Sequence, residues 1–132
     1  MRRRAVLLAA LALSACVPAR NKLAEEAVAR FHAMLNDERF AEIYEAASKE
    51  LRAKTARPVF ISYLADVRRR YGLSLKATVD KVDAFRADGF DYLTVECTTE
   101  FANGNVAEHF ALKRVGEDVL LAGYAVRFQR ET

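Results

Sequence analysis

At Gly72 the spacing of apolar residues changes, once, from that of a helix to that of a strand. Before it, Ala24, Val28, Phe31 and Leu35 recur at helical spacing, with Ala27 and Met34 beside them. A second stripe, Phe40, Ile43, Tyr44, Ala47 and Leu51, runs through ERFAEIYEAASKELRAK, and a third joins Phe60, Leu64, Val67 and Tyr71. Asn36 and Asp37 interrupt the first two stripes, and either can cap the second helix. Ser48 also reads as a cap. Pro58 suits the first turn of the third helix, and Gly72 suits its end.

After Gly72 the period is two. LKATVDKVDAFRA is a strand whose alternation slips near Lys81, which predicts a bulge or an edge position. Asp88-Gly89 turns the chain. Leu93, Val95, Cys97 and Phe101 then share one face of a second strand. Asn103-Gly104 is a hairpin signal with positive φ expected at both positions. Val106, Phe110 and Leu112 share a face of the third strand. Gly116-Glu117-Asp118 turns again, and Leu120, Ala122, Tyr124, Val126 and Phe128 are expected together on the fourth. The prediction is an α+β domain: three helices packed on one face of a curved four-stranded antiparallel sheet.

The N-terminus follows a different grammar. Arg2, Arg3 and Arg4 precede an eleven-residue run, AVLLAALALSA, too short to span a bilayer as a helix but matched to a signal-peptide core. Leu13-Ser14-Ala15-Cys16 resembles the bacterial lipobox. The resemblance implies a signal peptide over 1–15, transfer of a diacylglyceryl group to the Cys16 thiol, frequent acylation of its amine, as by palmitate, a lipidated tether over 16–21 and a globular domain over 22–132. Val17 in place of Asp implies export to the periplasmic face of the outer membrane in a proteobacterial envelope. A tether of about five residues beyond Cys16 reaches at most roughly 17 Å, which holds the domain near the membrane.

This division also decides the charge. The chain has 21 Lys and Arg against 18 Asp and Glu, and residues 1–15 contain three arginines and no acid, so the remainder is balanced at 18 against 18. A basic surface for nucleic acid is not implied. Cys97 is left as the only other cysteine, without a disulfide partner, and its place in the alternation makes it a small core residue.

The helices followed by EFANGNVAEHFALKRVGEDVLLAGYAVRF resemble the small bacterial lipoproteins of the nuclear-transport-factor-2-like (cystatin-like) superfamily, over roughly residues 22–128. The resemblance implies a cone in which a curved sheet wraps helices and can leave a pocket. It does not choose a function, because the superfamily holds isomerases, dehydratases, adaptors and members without known activity. The catalytic residues of its enzymes are not matched here.

No metal-binding spacing and no nucleophile motif occurs, and no cofactor is implied. His32 reads as a packing histidine on the flank of the first stripe, and His109 as a surface residue of the outer sheet face. Asp66 and Tyr63, three apart on the third helix, have two readings. In a pocket they would be general base and proton donor; on a solvated face Asp66 would pair with Arg69 or Arg70. The mild outer face, with His109, Ala111, Leu121 and Gly123, suits sheet-to-sheet packing in a homodimer. Three functions fit. The first is a non-enzymatic, membrane-anchored envelope module that binds a small apolar ligand or a protein partner. The second is a pocket enzyme doing proton-transfer or dehydration chemistry with Asp66 and Tyr63. The third is a spacer with a filled interior.

Overall fold

A computed structural model describes the backbone of residues 2–128 and the side chains of residues 18–127. Four helices, α1 (Arg2–Asn36), α2 (Phe40–Ala46), α3 (Lys49–Lys54) and α4 (Arg57–Tyr71), precede four strands, β1 (Ser74–Ala87), β2 (Phe90–Phe101), β3 (Gly104–Val115) and β4 (Asp118–Phe128). The strands form one antiparallel sheet in the order β1-β2-β3-β4, with the helices packed against it. Cys16 and residues 1–15 lie outside the described side chains. Among the described side chains the first buried residue of α1 is Ala24.

The expected stripes are the core. Ala24, Val28, Phe31 and Leu35 of α1 and Phe60, Leu64, Val67 and Tyr71 of α4 are buried against Leu93, Val95, Phe101, Val106, Phe110 and Leu112 of the sheet. Phe31 meets Phe110 edge to face at 5.1 Å between ring centroids and tilts against Tyr124 at 4.4 Å. Such ring pairs add directionality to the burial that drives the layer together.

The predicted second helix is two helices. Ala47 is extended (φ −72°, ψ 168°), and the buried Ser48 begins α3, its hydroxyl accepting from the Leu51 N–H at 3.2 Å. The Ser48 N–H donates across to the Leu121 carbonyl at 2.8 Å. A serine that caps and reaches β4 breaks a stripe that spacing alone would continue. Asn36 does not cap α2. Its side chain clamps Ser74, accepting from the Ser74 N–H at 2.9 Å and donating to the Ser74 carbonyl at 3.2 Å. The chain instead reverses at Glu38, whose φ is 57°.

Gly72 ends α4 at φ 81°. A Cβ there would also stand 3.1 Å from Ala102 Cβ. The tip of the β2–β3 hairpin docks on this helix end, with the Ala102 N–H donating to the Leu73 carbonyl and the Asn103 N–H to the Tyr71 carbonyl, both at 2.9 Å. That docking displaces the expected turn. Phe101 pairs with Gly104, the two loop residues are Ala102 and Asn103, and of the expected pair only Gly104 has positive φ.

β1 carries the predicted irregularity, with register shifts at Ser74/Lys76 and Val79/Lys81. Asp80 is the extra residue at the second, and its carboxyl accepts from the Thr98 hydroxyl at 2.7 Å. A shift that alternation did not predict lies on β4. Ala111 faces Gly123 but Leu112 faces Leu121, so Ala122 is surplus. The period-two pattern therefore inverts there. Leu121 and Val119 pack against the core, and Leu121 does not belong to the outer face on which it was expected.

Phe110 is fully buried at the centre of the ring cluster. Phe110→Ala is expected to lower unfolding free energy by about 3–5 kcal/mol, read from urea denaturation. A loss near that of a surface change, below about 0.5 kcal/mol, would mean the two sheet faces had been exchanged.

Candidate functional site

The chemically richest cluster is inside the core. Glu108 lies between Val106 and Phe110 in the alternation of β3, which turns its side chain to the helix-covered face, and it is only 2% exposed. His32 Nε2 lies 2.7 Å from Glu108 Oε1. The Thr99 hydroxyl of β2 donates to the same oxygen, and the Tyr124 hydroxyl of β4 donates to Oε2. Both carboxyl oxygens are therefore engaged by partners from three other elements. His32 is 6% exposed and sits edge-on to the rings of Phe31, Phe101 and Phe110. Its expected packing role holds, with a polar tie added.

This surrounding shifts two neighbours. Burial, and then the negative charge of Glu108, pushes the Tyr124 hydroxyl well above its ordinary value of 10.0. Burial, followed by Glu108 and Asp80, raises the Cys97 thiol to about 12. A thiol so placed stays protonated and is not a nucleophile at neutral pH.

Tyr63 and Asp66 do not form a pocket acid–base pair. Asp66 is about half exposed and is paired with Arg69. The Tyr63 hydroxyl accepts from the Val126 N–H at 3.1 Å, covering part of the outer edge of β4. The groove that both touch is open and measures about 150 Å³. The solvated-face reading of Asp66 is the one the geometry supports.

On the outer sheet face, His109 is exposed with its Nδ1 4.0 Å from Glu96, and Ala111 faces Gly123 across the ladder. Lys113 is buried. Its Nζ donates to Glu50 Oε1 at 2.7 Å and lies 3.9 Å above the Phe90 ring. That hydrogen bond holds the Glu50 carboxyl below its ordinary range and ties α3 to β3. Among the described residues no group of three or more His, Cys, Asp or Glu side chains is placed to hold a metal ion.

A second place of interest is a cleft of about 360 Å³ between α3, α4 and β4. Leu51, Val59, Phe60, Tyr63 and Tyr124 form its apolar walls, and Lys54 and Thr55 stand at it as polar groups. Val59 is 60% exposed. The cleft was not legible in the sequence, because it depends on the break at Ser48 and on the bulge at Ala122. Glu108 was missed by sequence reasoning, although its signal is there: a carboxyl two residues from Val106 and two from Phe110 must share their face.

Glu108→Ala leaves His32, Thr99 and Tyr124 without their shared partner. It is expected to cost about 3–5 kcal/mol in denaturant titrations, with Glu108→Gln costing less because the amide carbonyl still accepts. The raised Cys97 and Tyr124 values imply alkaline destabilisation. Their contribution is complete below about pH 9, where the unfolded chain also keeps both protons, and is lost as pH rises toward 12. Urea midpoints measured across that range should fall. Cys97 should resist iodoacetamide at pH 8 until the chain is unfolded, and rapid labelling of the folded chain would contradict the burial.

No protein-family model and no curated protein matches the chain. Among solved structures, one from Catenulispora acidiphila, determined at 2.5 Å, aligns with a TM-score of 0.53 at 15% identity, covering 86% of this chain and 92% of that one. The likeness is one of fold: the chain shares its α+β architecture with that structure.

Proposed function

We propose that the chain is a membrane-anchored lipoprotein of the cell envelope with a nuclear-transport-factor-2-like domain, acting as a non-enzymatic binding or assembly module. The observation that carries the non-enzymatic reading is the saturation of Glu108. Among the described residues Glu108 is the one carboxyl group enclosed by the core, and both of its oxygens are occupied by His32, Thr99 and Tyr124. Catalysis by proton transfer needs an acid or base within reach of a substrate. The sequence Leu13-Ser14-Ala15-Cys16 behind an arginine-led apolar run supports the anchor. Two or more acyl chains, each buried methylene contributing about 0.8 kcal/mol, would hold the domain firmly at a bilayer. The outer face with His109, Ala111 and Gly123 is the surface proposed for a second copy of the chain.

Expression of the full chain in a bacterium with an outer membrane, in the presence of alkyne-tagged palmitate, tests the anchor. The wild type should take up label and fractionate with membranes, and Cys16→Ser should accumulate as an unlabelled precursor. A normally processed and labelled Cys16→Ser product would refute the assignment.

A further inference from the structure

The cleft between α3, α4 and β4 has an asymmetry of charge. Its walls are aliphatic and aromatic, and among the described residues Lys54 is the only charged side chain that lines it. The acids nearest in sequence are engaged elsewhere: Glu45 with Arg57 at 3.5 Å and Glu50 with Lys113 at 2.7 Å. No ion-pair partner of Lys54 occurs among the described residues. Thr55, beside it, brings a hydroxyl that can donate to the same anion. An apolar cavity of this size, with a few polar groups gathered at one place, has the form of a small-molecule site.

We infer that this cleft binds a single-chain anionic amphiphile, a free fatty carboxylate. Its chain lies on Val59, Phe60 and Tyr63, and its head group accepts from Lys54 and Thr55. The volume of about 360 Å³ suits one chain and is small for the paired chains of a bilayer phospholipid. A charge-assisted hydrogen bond at the rim supplies the preference for an anion, while the apolar walls supply affinity without regard to head group. This inference rests on the binding-module reading and names its ligand class.

The test uses the full acylated chain in phosphatidylethanolamine–phosphatidylglycerol vesicles, with a diazirine-bearing dodecanoate as photoprobe. Cross-links should map to the segments carrying Val59 and Gly123. Dodecanoate should compete, whereas dodecyl maltoside should compete about tenfold less well and dodecyltrimethylammonium least. Lys54→Glu should reduce labelling about tenfold and admit the cationic competitor, and Lys54→Arg should restore the wild-type pattern. Equal competition by all three head groups, or labelling unchanged in Lys54→Glu, would overturn the inference. So would equal labelling of the cleft by a diazirine phosphatidylglycerol, which would assign the site to bilayer lipid. Failure here with Cys16 still acylated removes the ligand assignment alone. Loss of acylation with the cleft still labelled removes the anchored reading and leaves the cleft its ligand.

Discussion

A carboxyl group cut off from water must be met by donors, and in this chain that requirement organises the core. Glu108 is held to the inner face of the sheet by the residues two places on either side of it. Leaving it unmet would cost several kcal/mol, a large part of the stability of a domain this size. The partners come from α1, β2 and β4, so meeting the need fixes how the first helix lies over the sheet and how the three strands register beneath it. Apolar packing of the helices on the sheet, with Phe31 and Phe110 at its centre, supplies the burial; the polar cluster selects one arrangement among those that apolar packing alone would tolerate. The same enclosure keeps the Cys97 thiol and the Tyr124 hydroxyl protonated far into the alkaline range.

This division of labour bears on function. The acidic group that most resembles a catalytic residue, judged by burial and company, is spent on architecture. Surfaces open to another molecule lie on the periphery: the cleft beside Lys54, the mild outer face around His109 and Ala111, and the rim of α4 with the Asp66–Arg69 pair. An α+β layer of this kind supports many activities, so its surfaces must be read one residue at a time. The likeness to the structure from Catenulispora acidiphila extends across most of both chains but speaks to backbone arrangement only.

Features settled by neighbours in sequence could be read directly. The two helical stripes of α1 and α4, the stop at Gly72, the Asp88-Gly89 turn and the slip near Lys81 all follow from local steric or periodic rules. Features settled by distant partners could not. Ser48 divides a helix partly because Leu121 offers its carbonyl, and Asn36 leaves α2 uncapped because Ser74 claims its side chain. Ala102 and Asn103 form the hairpin loop because Tyr71, the last residue of α4, and Leu73, just past it, present carbonyls to them. The bulge at Ala122 is the most consequential of these, since one surplus residue moves Leu121 into the core and takes it off the outer face. Asp66 was open to two readings because a helix position three residues from both Tyr63 and Arg69 does not say which way it turns.

The two margins of the sheet are protected differently. β4 is shielded by other parts of the chain, with Ser48 and Tyr63 engaging its outward polar groups. β1 is held in that way at its first residue, where Asn36 clamps Ser74; the rest is largely exposed, and it carries two offsets in its ladder together with Lys76, Asp80, Lys81, Asp83 and Arg86. A strand so interrupted and so charged makes a poor template for a stranger's backbone. Copies of this protein crowded side by side can therefore remain separate molecules instead of zipping into a continuous ribbon.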